Sequence, residues 1–372
     1  MKRKLVPVII NVILVFIFII VIESFGQIAY YMRYGMFPYQ MVEGDQYMEV
    51  FELHPYLAGR LKKDAAVTDV KSGKRITATK YHTRSTGAPE EDGDLIRVAV
   101  LGGSSTFGTG LTDLDTWPAI LQRKLGEGFS VINYGVPGYS TAEAIVQTAL
   151  IVPELEPEFV IFYEGWNDIH NYHVPDLGGD YYVHGMSQYG NLEIPPMHRQ
   201  DFWGKLYEMS AMGRLAAKIK RELAGADVPS CPKYDTPDEY VNKIYARNLE
   251  TLKLLSEHIA PYTIFVPQVL NYPAFTGKED DIGCNGWSFH IKNGAMPQLM
   301  DRFNSIMRSV CAKDDPKCLY IDGVLDVKWE QDDFIDDGHF TKKGGEKFAD
   351  VIAAELLSKT KETNRYSHTR LR

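Results

Sequence analysis

Cysteine is scarce in this 372-residue chain: four residues, Cys231, Cys284, Cys311 and Cys318, all lie in the second half. No Cys-x-x-Cys pair occurs among them and their spacings are wrong for zinc, so a structural zinc site is excluded. The short loop between Cys311 and Cys318 is the easiest to close, which leaves Cys231 with Cys284; free buried thiols are the alternative if the compartment is reducing. Positive charge is also short, with 40 Lys+Arg against 49 Asp+Glu and a formal net of -9. Residues 1–44 hold Lys2, Arg3, Lys4 and Arg33 against Glu23 and Glu43, a net of +2, so the remainder carries -11. A body that acidic is a poor ligand for a phosphate backbone, and nucleic acid is excluded as a partner. Internal repeats and low-complexity tracts are absent, and with 22 Tyr, 17 Phe and only 24% charged residues the chain is not disordered as a whole.

One long charge-free run is present. Leu5–Ile22 is interrupted only by Pro7 and Asn11. As a helix it would reach roughly 27 Å, close to the thickness of a bilayer's hydrocarbon core. Lys2, Arg3 and Lys4 precede it, so the positive-inside rule leaves residues 1–4 cytoplasmic and the body outside, in the periplasm or at the cell exterior. Tyr30, Tyr31, Tyr34, Phe37 and Tyr39 follow like an interfacial aromatic belt. A cleaved signal peptide is the rival reading; its best small-x-small site, Ser24-Phe25-Gly26, is weak and the run is long for such a peptide, which favours a retained anchor at 5–22.

Residues 23–94 are turn-rich and read as a connecting segment with short elements. From Leu95 apolar runs alternate with helical patterns. Leu95–Leu101, Phe129–Tyr134, Phe159–Tyr163, Tyr262–Val266 and Cys318–Asp322 are predicted strands. Between them, Trp117–Leu125 is a predicted helix with Pro118 in its first turn, and Ser140 with Glu143 makes a capping box for the next. A second capping box is expected at Thr236-Pro237-Asp238-Glu239, and the closing helix at Thr341–Leu357. An insertion, 168–235, interrupts the alternation, rich in Tyr, His and Gly at first and then helical around Lys205–Leu223, and the tail 359–372 is expected to be disordered. Strands alternating with helices of this length predict a three-layer α/β/α sandwich around a parallel sheet of about five strands over residues 95–358.

In such a sheet the site lies beyond the carboxyl ends of the strands. Four segments fall there: Gly102-Gly103-Ser104-Ser105-Thr106-Phe107-Gly108, Gly135-Val136-Pro137-Gly138-Tyr139-Ser140, Glu164-Gly165-Trp166-Asn167-Asp168 and Asp336-Asp337-Gly338-His339. The first lacks the Gly-Lys-Ser/Thr ending of a phosphate loop, and Thr106 stands where Gly-x-Ser-x-Gly needs its second glycine. Alone it reads equally as a helix cap. An aspartate three residues before a histidine can hold one imidazole nitrogen and aim the other outward, and the order Ser…Asp…His suits a nucleophile with its base and orienting carboxylate. Gly138 can bring a backbone N–H close, and Asn167 offers an amide donor, as a developing oxyanion requires. Asp168, His170 and His173 crowd together but lack a fourth ligand, so no metal is expected. Tyr172, Tyr181, Tyr182, Tyr189 and Trp203 could form a sugar-stacking wall or simply pack the insertion.

Taken together, GGSS, NYGVPGYST, GWND and DDGH resemble the four blocks of the SGNH (GDSL-type) hydrolase family, in order and over roughly residues 95–358. The resemblance implies the flavodoxin-like SGNH hydrolase fold. It implies Ser104 as nucleophile, Asp336 and His339 as its partners, and the N–H groups of Ser104 and Gly138 with the Asn167 amide as oxyanion donors. The family's usual Gly-Asp-Ser is Gly-Gly-Ser here; aligning the two selects Ser104, with Ser105 the alternative. The activity implied is that of a serine esterase without a cofactor, acting through an acyl-enzyme on an ester of a glycan (an O-acetyl group) or of a lipid. The alternatives are an O-acyltransferase to a cell-surface polysaccharide and a catalytically silent glycan-binding protein of the same fold. No protein partner is legible.

Overall fold

The computed structural model describes residues 2–35, 37–38, 50–68, 73–89, 94–185, 202–223, 232–275, 277, 280, 290–311 and 315–369. Helix α1 (Lys2–Tyr34) precedes two short antiparallel pairs, β1 (Phe51–Glu52) with β2 (Arg60–Leu61) and β3 (Ala66–Thr68) with β4 (Arg75–Thr77). Then come β5 (Ile96–Gly102), the single-turn α2 (Ser104–Phe107), α3 (Trp117–Leu125), β6 (Phe129–Asn133), α4 (Thr141–Leu150), β7 (Phe159–Tyr163) and the short α5 (Trp166–Ile169). Helices α6 (Phe202–Met209), α7 (Ala211–Leu223) and α8 (Glu239–Ile259) lead to β8 (Tyr262–Phe265). The short α9 (Tyr272–Phe275), α10 (Met296–Val310), β9 (Cys318–Tyr320) and α11 (Lys342–Thr369) complete the order.

The five longer-range strands form one sheet in the order β6-β5-β7-β8-β9, and every neighbouring pair is parallel. Their apolar runs are continuous because both faces are covered. Alternate residues serve different layers, as a strand's twofold period requires. Val98, Val100, Ile161 and Ile264 pack with Trp117, Ile120 and Leu121 of α3 and Phe348 and Ile352 of α11. Ala99, Leu101, Val160, Phe162 and Phe265 face Ala144 of α4, Leu249 and Leu252 of α8, and Phe303 and Met307 of α10. The result is the three-layer α/β/α sandwich with a five-stranded parallel sheet expected from the sequence. Strand order reverses at β5, so the crevice that such sheets use for ligands opens between the ends of β5 and β7.

The segment before the sheet is built into this body. Val50, Phe51, Leu57, Leu61 and Ile76 pack on Phe107, Val136 and Tyr139, the residues that back the loops after β5 and β6. Arg84 is fully buried and donates to the carbonyls of Phe107 (2.7 Å), Gly108 (2.8 Å) and Leu111 (2.6 Å) and to Asp113 Oδ1 (3.1 Å). The turn that follows α2 is thus held from outside the sheet.

Three local readings are corrected. The cap of α8 is Asp238, not Thr236: its carboxylate accepts from the N–H of Tyr240 (2.9 Å) and Val241 (3.2 Å) and, on its other oxygen, of His173 (2.9 Å). The helical part of the insertion is two helices broken at Ser210, whose hydroxyl accepts from Gly213 N (3.0 Å) as a new cap. The closing helix continues to Thr369 where a disordered tail from Lys359 was expected, because no glycine or proline follows Gly345 to end it. Cys311 and Cys318 are disulfide-bonded; Cys231 and Cys284 lie outside the described residues.

Candidate active site

Each loop of the site hangs on a strand end. β5 ends at Gly102, and Ser104 is the first residue of α2, where a backbone N–H has no acceptor within its own helix. After β6 the chain makes a tight turn in which Tyr139 N donates to Val136 O (3.1 Å), with Pro137 second and Gly138 third at φ +84°. This is a type II turn, in which proline presets the second position and glycine accepts the positive φ of the third. The Gly138 carbonyl accepts from His184 Nε2 at 3.0 Å, and the Tyr139 hydroxyl donates to the Gly59 carbonyl of the preceding segment.

The turn Asp336–His339 brings its two functional side chains to Ser104. Asp336 Oδ1 accepts from the N–H of Gly338 (3.0 Å) and His339 (2.9 Å), which fixes the carboxylate as the cap of its own turn. Its Oδ2 lies 2.6 Å from His339 Nδ1, and His339 Nε2 lies 2.7 Å from Ser104 Oγ. With the imidazole proton on Nδ1, donated to Asp336, Nε2 is the acceptor for the serine hydroxyl. Burial would raise the Asp336 carboxyl, but the His339 hydrogen bond and charge, with the two backbone donors, outweigh it and bring it down to about 2. Asp336 is therefore ionised wherever the protein is folded at ordinary pH. Ser105, the alternative nucleophile, is engaged: its hydroxyl donates to the Gly338 carbonyl at 2.9 Å and ties α2 to the His339 turn.

Asn167, buried on α5, donates one amide proton to the Tyr139 carbonyl at 2.6 Å, leaving its second for a ligand. The Ser104, Gly138 and Asn167 segments thus share one rim. Gly103 makes this possible, because a Cβ there would overlap the Asn167 amide nitrogen and come within 3.0 Å of the Tyr139 carbonyl oxygen. Beside Ser104 is a cavity with room for about one water molecule (≈ 10 Å³), lined by Gly103, Tyr163, Glu164, Trp166, Asn167 and Gln268 among others. Glu164 is buried, and burial first, then the charges of Asp168 and Glu143, push its carboxyl well above the usual range.

Other residues go elsewhere. Asp168 accepts from Thr141 N (3.3 Å) and from its hydroxyl, whereas His173 meets Thr236 O (2.9 Å), so these two and His170 do not converge on one point. Tyr172 and Tyr181 are buried and cannot form an aromatic wall, while Tyr182 is exposed; Tyr189 and the Trp203 side chain lie outside the described residues. Sequence reasoning placed Glu164 at the rim without giving it a role, and it missed Ser105's tie, Gln268 and Arg84, which take their roles from distant partners.

No curated protein matches the chain. Among solved structures it is similar to a catalytic mutant of Axe2, an acetylxylan esterase from Geobacillus stearothermophilus, at 14% identity and TM-score 0.42, covering 71% of this chain and 95% of that one. It is similar also to LAE5, an alpha/beta hydrolase from the metagenome of Lake Arreo, Spain, at 15% identity and TM-score 0.39, covering 71% and 94%. A third is a putative acylhydrolase from Bacteroides fragilis, at 15% identity and TM-score 0.40, covering 73% and 90%. The model of the GDSL-like lipase/acylhydrolase family matches residues 100–347, a span that takes in every loop from the end of β5 to the His339 turn. The chain belongs to that family, and it is an SGNH-type ester hydrolase.

Proposed function

We propose that this ester hydrolase works through an acyl-enzyme on Ser104, removing a short acyl group, acetyl above all, from a glycan outside the cytoplasm. The observation that carries the mechanism is the unbroken chain Ser104 Oγ–His339 Nε2 at 2.7 Å and His339 Nδ1–Asp336 Oδ2 at 2.6 Å. His339 takes the serine proton as Oγ bonds to the ester carbonyl carbon, and Asp336 holds the tautomer and the imidazolium that forms. The carbonyl oxygen becomes an oxyanion facing the Ser104 and Gly138 N–H groups and the Asn167 amide. His339 returns the proton to the departing alkoxide, and water repeats the sequence to free the acid and restore Ser104. The small cavity beside Ser104 supports a short acyl group over a long lipid chain.

A fluorophosphonate probe should label Ser104 alone, and Ser104→Ala should abolish both labelling and hydrolysis. Labelling that persists in the alanine variant, or maps to Ser105, would refute the assignment. Nitrophenyl acetate should be cleaved at least tenfold better than the octanoate in kcat/KM; equal rates would remove the short-acyl reading while leaving the nucleophile intact.

A further inference from the structure

We propose that α7, with the end of α6, lies in the headgroup layer of a lipid bilayer beside α1, its apolar stripe toward the acyl chains. The inference rests on the reading of α1 as a retained membrane anchor. Two independent features of the structure lead to it.

The first is where α7 begins. Glu23, one residue past the apolar run, accepts from the Ser210 hydroxyl (2.8 Å), Ala211 N (2.7 Å) and Met212 N (3.1 Å), so a carboxylate of α1 caps the start of α7. Gln27, one turn on, donates to the Met209 carbonyl (2.9 Å) and to Glu23 (2.7 Å). Gly26 between them lets Ala211 approach; a Cβ on Gly26 would lie 2.8 Å from the Ala211 Cβ. Gly26 stands four residues past Ile22, which at about 1.5 Å per residue is roughly 6 Å beyond the hydrocarbon edge. A headgroup layer is about 5–7 Å deep on each side, so α7 starts within it.

The second is the surface that α7 leaves uncovered. Ala211 and Gly213 are buried, whereas Met212, Leu215 and Ile219, at helical spacing, are 41–45% exposed. Leu206, Tyr207 and Met209 of α6 add to the patch at 38–49% exposure. Arg214 and Lys218 flank the stripe, as basic residues do on helices that lie on anionic membranes. A bilayer is the occupant this face fits, because the same structure leaves the large apolar side chains from Val8 to Val21 of the adjoining helix 44–64% exposed. The bilayer that covers that helix covers this stripe as well.

The test uses the full chain in vesicles of phosphatidylcholine and phosphatidylglycerol with brominated acyl chains, which quench tryptophan on contact. Three variants are compared with the parent: Val15→Trp in the run, Ile219→Trp on the stripe, and Leu254→Trp on the exposed surface of α8. Fluorophosphonate labelling of Ser104 checks that each is folded. Ile219→Trp should add at least half the quenching that Val15→Trp adds, and Leu254→Trp should add none. If Ile219→Trp behaves like Leu254→Trp while Val15→Trp is quenched, the inference is overturned and the anchor stands. If Ile219→Trp is shielded from aqueous acrylamide yet untouched by bromolipid, a protein partner covers the stripe and the inference again fails. If Val15→Trp is not quenched, the anchor reading fails and the inference falls with it.

Discussion

Gly103 occupies the position where the family's usual motif has aspartate, and the structure gives a local reason for the difference. Its Cα lies so close to the Asn167 amide and the Tyr139 carbonyl that a Cβ has no place. Gly103→Asp, which would restore Gly-Asp-Ser, is therefore expected to harm this chain by displacing Asn167. A misplacement of about 1 Å costs on the order of 10²-fold in rate, so kcat should fall by ten- to a hundredfold with the protein still folded. Unchanged kcat would show that Asn167 can give way. Asn167→Ala tests the donor itself. One lost oxyanion donor costs about 10²–10³ in kcat with little change in KM, and Asn167→Asp should be at least as damaging, since it sets negative charge beside a forming anion. Near-normal kcat in folded Asn167→Ala would remove the residue from the mechanism. The placement of Ser104, Gly138, Asn167 and His339 beyond the strand ends of one sheet was legible, because each lies in a loop that follows a predicted strand. The reason for Gly103 was not, since it depends on a residue 64 positions away.

Between elements, the interior holds a polar knot that joins three helices on one face of the sheet. Asp168 of α5 accepts from Thr141 at the start of α4, and Asn248 of α8 donates to the Thr141 hydroxyl at 2.9 Å. Burial lifts the Asp168 carboxyl from 3.8 to about 7, against the Thr141 hydrogen bonds, which act the other way. Folding thus favours its neutral form. The stability this brings is complete below about pH 4 and is lost as pH rises toward 7. At roughly 1.4 kcal/mol per pH unit, the parent should lose about 3 kcal/mol more than Asp168→Asn between pH 5 and pH 8 in thermal unfolding. Parallel pH profiles would mean that Asp168 is ionised in the folded protein. The strands and the first capping box were legible at this scale, because local periodicity and Ser140 with Glu143 suffice. The cap of α8 was not: Thr236 and Asp238 both suit the pattern, and Asp238 is chosen because it also receives the distant N–H of His173.

At the scale of the whole molecule, the question is whether α1 is retained. Cleavage after Gly26, the best site for a signal peptidase, would remove Glu23 and with it three hydrogen bonds at the start of α7. It would also remove the exposed apolar run together with Lys2, Arg3 and Lys4. A secreted form would then keep in water the apolar stripe of α7, where Met212, Leu215 and Ile219 are 41–45% exposed. A leader peptide has no physical reason to build such contacts with the mature body, whereas an anchor gains from being docked to the domain it holds. The prediction is that protein from native membranes begins at or near Met1, resists a carbonate wash, and carries the Cys311–Cys318 bond expected outside the cytoplasm. Intact-mass measurement reads the first, fractionation the second, and non-reducing peptide mapping the third. A mature N-terminus at Gln27 in a soluble fraction would establish the leader instead. Glu23→Ala then separates docking from anchoring: it should leave the protein in the membrane pellet, while α7 becomes more open to hydrogen exchange and Ser104 labels at the parent rate.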